Sequence, residues 1–145
     1  DFRCETISSL VKEVSEKVRA LNKKVEISAA GYANFELSPT KVGQDWIRWC
    51  REGWVDFVCP MDYNGNVEKF TETINRQQEV LKDTSVKLYP GIAIHCYSHP
   101  EVDTLTAARE IGAVRNLNLE GFTIFQQGPW TETVLPDLRM GPLKP

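Results

Sequence analysis

Short apolar segments alternate with helical patterns along the 145 residues of the chain, and this alternation constrains the fold more than any other feature. The apolar segments cover 25–30, 55–61, 86–93 and 121–125, and each predicts a strand. Helical patterns, with apolar residues three and four positions apart, cover 7–21, 44–51, 67–82 and 104–117. Apolar strands separated by helices favour a parallel sheet covered by helices. The sequence therefore predicts an α/β fold of about four βα units.

The composition is that of an ordinary globular protein, and we expect 1–145 to form a single domain. Acidic and basic residues are mixed along the chain, and the formal net charge is -3. Because phosphate binding needs a concentrated basic surface, nucleic acid is not expected as a partner. No apolar run approaches the ~20 residues of a membrane span, so none is expected. The first residues, Asp1 to Cys4, have the pattern of neither a signal peptide nor a natural start.

The four cysteines form no CxxC pair, and the two histidines do not stand at zinc-finger spacing. No metal site and no cofactor are predicted. Cys50 falls in a helical pattern and Cys59 in an apolar strand, so both are expected to be small core residues. Trp46, Trp49 and Trp54 lie on or just after the same helix and are expected to pack in the core.

The C-terminal ends of the predicted strands gather the candidate functional residues. Right-handed crossovers place these ends on one side of a parallel sheet, where α/β proteins keep their chemistry. Asp62 directly follows a buried strand, and only capping of the turn at 64–66 competes with a functional role. We predict Asp62 as a catalytic carboxyl group. The aromatic, amide and imidazole side chains that we expect to bind substrate are Tyr32, Tyr63, Asn64, His95, Tyr97, Gln126, Gln127 and Trp130.

This mixture suits a sugar, because apolar ring faces stack on aromatic side chains and hydroxyl groups bond to amides and carboxylates. Structural interpretations of the same residues stay open. Tyr63 and Tyr97 could be ordinary packing at the rim of the strands. His95 could be a surface residue, and Trp130 could stack on a ligand or pack in its loop.

Two adjoining stretches resemble a known family. The letters QDWIRW at 44–49 are followed by GWVDFVCPMDY at 53–63, across one helix and the next strand. This pattern resembles the family 10-like glycosyl hydrolases, and its Pro-Met-x-Tyr ending is the most specific part. The opening segment 2–18 and the segments 87–93, 121–125 and 135–139 are similar to other parts of the same family.

The resemblance implies a partial (β/α)8 TIM barrel, namely the C-terminal half of a glycosidase barrel. It also implies a carbohydrate substrate, a bacterial source with lipoprotein relatives, and a location outside the cytoplasm. A complete barrel takes ~250 residues, so the first four strands are expected to be missing. The unpaired edges of half a barrel should associate either with the missing N-terminal half or with a second copy of the chain.

Glycoside hydrolysis ordinarily uses two carboxyl groups. Asp62 is the predicted first one, and Glu36, in the loop after the first strand, is a weaker candidate for the second. Glu120 precedes its strand and so lies at the wrong end, and Asp56 is expected to be a structural hydrogen-bond acceptor. The family's fourth strand carries an acidic residue that no strand here supplies, so we expect no turnover by this chain alone.

Other functions stay open beside that of a glycoside hydrolase. The alternative is a non-catalytic carbohydrate-binding or scaffold domain that uses the aromatic residues without a carboxylate pair. A third interpretation is a doubly wound α/β protein of unrelated function. That protein would need a glycine-rich phosphate loop after its first strand, and Gly31 is the single glycine there.

Overall fold

Helices and strands alternate along the chain in a computed structural model that describes residues 2–94, 103–125, 135–139 and 141–142. The elements are α1 Phe2–Leu21, β1 Ser28–Tyr32, α2 Ser38–Lys41, α3 Trp46–Arg51, β2 Phe57–Met61, α4 Val67–Leu81, β3 Lys87–Leu88, β4 Gly91–Ala93, α5 Thr104–Asn116, β5 Thr123–Phe125 and α6 Leu135–Arg139. None of the helices in these ranges is long and apolar enough to cross a membrane.

The strands pair in parallel and neighbour one another in chain order. Strands β1, β2 and β3 form one sheet, and β4 and β5 form another. Tyr32 pairs with Met61, so β1 and β2 end level with each other, and Gly91 pairs with Thr123 in the second sheet. These pairings confirm the predicted α/β class. Both sheets are small, and the described residues do not close them into a barrel.

The predicted strand at 86–93 is wrong as a single element, because it divides between the two sheets. Its first part pairs with β2, where the Tyr89 amide donates to the Val58 carbonyl at 2.9 Å. The next amide that would continue this ladder is that of Gly91, but the Pro60 carbonyl of β2 accepts from the Asp62 amide at 2.9 Å. The Pro90 carbonyl instead accepts from the Thr123 amide at 2.9 Å. The segment therefore changes partner from β2 to β5 at the proline.

Strand β1 begins at Ser28, although the apolar pattern predicts a strand from position 25. The Asp56 side chain bonds to the backbone just before β1, where its Oδ2 accepts from the Ile27 amide at 2.7 Å. Its Oδ1 accepts from the Arg19 guanidinium at 3.0 Å, which ties α1 to the same point. These bonds confirm that Asp56 is a structural hydrogen-bond acceptor.

The buried side of α1 differs from the apolar stripe that the sequence predicts. Ser8 and Ser15 are buried, and Ile7 and Val11 of the predicted stripe pack against the core, whereas its Leu10 and Leu21 are exposed. Small side chains let the helix approach α3 closely, and the Trp49 indole donates to the Ser8 hydroxyl at 2.9 Å. Packing against a large tryptophan therefore selects the serine side of α1.

The core lies between the strands and the helices. Trp46, Trp49 and Cys50 are buried there, as predicted, and Trp54 is half-buried at its margin. Cys59 is also half-buried, because it points to the other side of β2. Its expected place in the core is therefore wrong.

The two sides of the strands differ in their cover. Val58 and Pro60 of β2 are buried under the helices, and the residues between them are only half-buried. On β1 the corresponding side consists of Ser28, Ala30 and Tyr32, which are exposed. Gly31 lies on the helix side and is buried. We call this less covered side the open face. Its described strand residues include Ser28, Ala30, Tyr32, Phe57, Cys59, Met61, Ala93 and Phe125.

Candidate functional site

Aromatic residues mark the C-terminal ends of the strands on the open face. Tyr32 ends β1 and is 40% exposed, and Phe125 ends β5 and is 43% exposed. Tyr63, two residues beyond β2, stacks on Phe125 with ring centroids 5.6 Å apart and an angle of 22° between the rings. The stack bridges the two sheets. We call Tyr32, Tyr63 and Phe125 the aromatic edge.

A tight turn and a glycine set the position of Tyr63. The Asp62 amide donates to the Pro60 carbonyl at 2.9 Å, so the chain turns sharply as β2 ends. Tyr63 then packs on Ala93 and over Gly91. A Cβ atom at Gly91 would lie 3.0 Å from the Tyr63 Cε1 atom. The missing side chain therefore gives the tyrosine ring room to reach the second sheet.

Side chains of the segment before and within α3 hold the backbone of Tyr32. Its amide donates to the Gln44 side-chain oxygen at 2.9 Å. Its carbonyl accepts from the Trp46 indole nitrogen at 3.0 Å. A Cβ atom at the preceding Gly31 would meet that indole at 3.0 Å. The QDW part of the family pattern thus fixes the end of β1, while the Tyr32 ring stays accessible.

Asp62, the predicted catalytic residue, lies on the helix side of the sheet. It is 3% exposed, and its Oδ1 accepts from the Gln77 side-chain amide of α4 at 2.7 Å. The same amide donates to the Ala33 carbonyl at 3.2 Å, just beyond β1. No described residue donates a hydrogen bond to the Asp62 Oδ2 atom. The carboxyl group therefore lies behind the open face, under α4.

A second buried carboxyl group, Glu110 of α5, lies within electrostatic reach of Asp62. Glu110 is 0% exposed, and no described residue donates to either of its carboxyl oxygens. Burial raises the pKa of Asp62 to about 7, although the bond from Gln77 acts in the opposite direction. Burial also raises the pKa of Glu110 to about 8, and the Asp62 charge adds to the rise.

The sequence reasoning missed Glu110 and Gln77, although a signal was present. The buried side of α5 consists of Ala107, Glu110, Ile111 and Val114. Leu105, which the apolar pattern of 104–117 places on the buried side, is exposed. On α4, Gln77 occupies the same side as Phe70, Ile74 and Leu81. A polar residue inside an apolar helical stripe needs a buried partner. That requirement could have paired these two side chains with Asp62.

The other predicted substrate-binding residues divide into two groups. Asn64 is half-buried, and its side-chain oxygen accepts from the Asn66 amide at 2.9 Å, so it stabilises the turn before α4. The remaining ones lie outside the described residues, and these are His95, Tyr97, Gln126, Gln127 and Trp130.

Glu36, the weaker carboxylate candidate, forms an ion pair, and so does Glu120, which the sequence places at the wrong end of its strand. Glu36 is exposed and pairs with the Arg76 guanidinium of α4 at 2.6 Å. Glu120 pairs with the Lys87 ammonium group at 3.0 Å, where β3 begins. Glu120 therefore lies at the N-terminal end of the strands, as its position in the sequence predicts.

A groove of about 980 Å³ runs along the outer side of α4, between that helix, Phe35 and Arg51. It is lined by Phe35, Val67 and Val80 together with charged and polar side chains, and it includes no residue of the aromatic edge. Among the described residues, no group of three or more histidine, cysteine, aspartate or glutamate side chains could hold a metal ion.

Comparison with known proteins gives one match. The family model described as glycosyl hydrolase-like 10 matches residues 1–106, which include β1, β2 and Asp62. No curated protein and no solved structure matches the chain. Because the family model covers well over half of the sequence, the chain belongs to the glycosyl hydrolase-like 10 family.

Proposed function

We propose that the chain is part of a (β/α)8-barrel glycoside hydrolase and that its open face lines the barrel. Membership of a glycosyl hydrolase-like family supports this function. Ligand sites of such barrels lie at the C-terminal ends of the strands, where Tyr32, Tyr63 and Phe125 are placed. The single observation that carries the proposal is this aromatic edge in a chain of that family.

The topology favours a barrel over a doubly wound sheet. Strand neighbours follow chain order from β1 to β3 and again from β4 to β5, through the shared segment around Pro90. A doubly wound sheet reverses its strand order at a switch point and has helices on both faces. The exposed residues of β1 on the open face support a sheet with helices on one side, as in a barrel.

The aromatic edge suits the apolar faces of sugar rings. Tyr63 and Phe125 present a stacked pair, and Tyr32 presents a second ring on the neighbouring strand. Aromatic contacts are worth about 0.5–1.5 kcal/mol each, and each 1.4 kcal/mol is about tenfold in affinity. We therefore propose that these rings hold a polysaccharide or other glycan along the strand ends.

Affinity electrophoresis in gels that contain soluble polysaccharides tests the glycan site. Tyr63→Ala and Phe125→Ala should each weaken retention by up to about tenfold. Phe57→Ala is the matched control, because Phe57 is an aromatic residue at the other end of β2, in edge contact with Tyr89. Equal effects of all three substitutions would refute a glycan site at the aromatic edge.

The catalytic role of Asp62 stays a prediction, and its position sets a condition on it. A general acid must reach the glycosidic oxygen, but the Asp62 carboxyl lies behind the open face beside Gln77. Direct proton transfer therefore requires this carboxyl to leave its partner. Release of reducing sugar by the complete barrel decides the question. Asp62→Asn should abolish hydrolysis without loss of glycan affinity, and full activity would remove Asp62 from the mechanism.

In the described part of the chain the edges of both sheets lack a further strand, and they need a partner. We propose that the N-terminal half of the barrel, or a second copy of the chain, completes the fold. Light scattering of the purified chain checks the second possibility. A mass above one chain that falls on dilution would support association, and a monomer at every concentration would exclude self-association.

A further inference from the structure

Two acidic side chains are buried in the interior, one just beyond β2 and the other on α5, and the charge of the first acts on the second. Asp62 is 3% exposed and Glu110 is 0% exposed, and Gln77 lies beside Asp62 without any exposed surface. We call Asp62 and Glu110 the acid pair. The proposed glycan site on the open face does not use Glu110, which lies on α5 and is fully buried.

The hydrogen bonds around the acid pair do not balance. Gln77 uses its amide nitrogen for the Asp62 Oδ1 atom and for the Ala33 carbonyl. No described residue donates to the Asp62 Oδ2 atom, the Gln77 Oε1 atom or either oxygen of Glu110. The site is therefore rich in acceptors and poor in donors. An unpaired buried charge costs several kcal/mol, and an unsatisfied neutral polar group costs about 1–3 kcal/mol.

A bound proton resolves this imbalance. A protonated carboxyl group loses its charge and becomes an O–H donor, which a neighbouring carboxylate or amide oxygen can accept. Like-charged carboxylates that share a buried site do not both ionise, and one of them keeps its proton. We propose that Asp62 and Glu110 form a buried acid pair that holds at least one proton at neutral pH and so keeps α5 packed against the end of β2.

The surroundings offer no competing positive charge among the described residues. The charged residues of α4 are all exposed, and so are the two arginines of α5 and the charged residues of α6. Strand β4, which also packs against α5, carries no ionisable side chain. The charge that acts on Glu110 comes from Asp62. The pair therefore has to be neutralised by something other than an ion pair with these residues.

A metal cation is a weaker solution than a proton. Calcium needs about six to eight oxygen ligands, and among the described residues the unpaired oxygens at the site belong to two carboxyl groups and one amide. The described residues contain no larger cluster of acidic, histidine or cysteine side chains. The raised pKa values of Asp62, about 7, and Glu110, about 8, agree with proton binding.

Proton binding makes the stability of the fold depend on pH in a defined direction. The ordinary pKa values of the two groups are 3.8 and 4.5, so between these values and about 7 to 8 the folded state binds more protons than the unfolded state. Stability then falls as pH rises through this window. Well below pH 4 both states are protonated at these groups and well above pH 8 both are ionised, so these groups no longer change the stability with pH there.

Carbon-13 NMR of side-chain carboxyl groups, in the full chain labelled at aspartate and glutamate, tests the proposal directly. One aspartate and one glutamate should titrate far above pH 5 in the wild type. Glu110→Gln should remove the glutamate signal, and Asp62→Asn should move the glutamate titration downwards, because the charge that acts on Glu110 comes from Asp62. Glu72→Gln, at an exposed position of α4, is the matched control and should leave both unchanged.

Urea unfolding between pH 5 and pH 8 gives a second readout. The wild-type midpoint should fall over this range, and the fall should be smaller in Glu110→Gln, because glutamine is neutral at every pH. All carboxyl groups titrating below pH 5 would overturn the proposal. The proposal would also be overturned if calcium chloride or sodium chloride raised the wild-type midpoint at pH 7 and choline chloride at equal ionic strength did not. A bound metal cation would then neutralise the site.

Discussion

Gly91 offers the sharpest test of how the two sheets are joined. A Cβ atom at this position would lie 2.6 Å from the Pro60 carbonyl oxygen and 3.0 Å from the Tyr63 ring. The first contact is with backbone inside β2, which cannot rotate away as the end of a flexible side chain can. Gly91→Ala must therefore move β4 away from β2 or shift the tyrosine.

Overpacking of this kind typically costs about 1–3 kcal/mol, and we expect Gly91→Ala to destabilise the fold by that amount. The matched control is Gly112→Ala in α5, where an added Cβ atom meets nothing within 4 Å. Alanine is favoured over glycine in a helix interior by about 0.5–1 kcal/mol. The same chemical change should therefore have opposite signs at the two positions.

Urea unfolding of both variants measures this difference through the midpoint, with an unchanged slope as the check that unfolding stays comparable. Gly91→Ala should also weaken glycan retention, because Tyr63 belongs to the aromatic edge. A Gly91→Ala variant as stable as the wild type would refute the close contact between β2 and β4. Two variants destabilised alike would show that the glycine contacts do not decide the outcome.

Two further substitutions test local structure. Asp56→Ala removes the acceptor of the Ile27 amide and the partner of Arg19, and should cost about 1–3 kcal/mol in urea unfolding near pH 7. Burial opposes the ionisation of Asp56, but these two partners outweigh it and lower its pKa. The stabilisation by Asp56 is therefore lost as pH falls below about 4. The free energy of unfolding should fall more steeply with acid in the wild type than in the variant. Asn66→Ala removes the cap of α4 and should cost about 1 kcal/mol, whereas Asn75→Ala, at an exposed position within α4, should not destabilise the chain; equal effects would exclude the cap as the cause.

Local signals in the sequence predict much of the fold. The apolar period of α4 and the cap at Asn66 give that helix within a residue of its observed ends. The expected roles of Asp56 and Trp46 also follow from their places in strand and helix. These features depend on near neighbours in the chain, which a single sequence displays directly.

The features that the sequence does not predict depend on distant partners. The change of sheet at Pro90 requires knowledge of which strands flank 86–93. The buried serine side of α1 is selected by the Trp49 indole, which is 41 positions away from Ser8. The burial of Glu110 on α5 likewise follows from tertiary packing and not from the apolar stripe alone.

The parity of residues along β2 explains why Asp62 is the instructive case. Val58, Pro60 and Asp62 are two positions apart, and side chains with this spacing share one side of a strand. The first two are buried under the helices, so the third is expected there as well, and it is. Tyr63 has the opposite parity and lies on the open face. The family pattern Pro-Met-x-Tyr thus serves both sides of the sheet at once.

The same parity argument shows where the hydrolytic carboxyl groups should be sought. Apart from Lys87, which pairs with Phe57, the described strand residues of the open face are apolar, aromatic, hydroxyl or thiol side chains, and none of them is acidic. The proposed hydrolase therefore takes the carboxylates that face its substrate from strands or loops beyond these residues. The alternative is that the Asp62 side chain moves from the helix side of the sheet to the open face. The comparison of Asp62→Asn with Glu110→Gln separates these routes. If the acid pair only supports the fold, each variant should lower the rate of hydrolysis only as far as it lowers the fraction of folded protein. If Asp62 transfers the proton, Asp62→Asn alone should abolish hydrolysis in a folded protein.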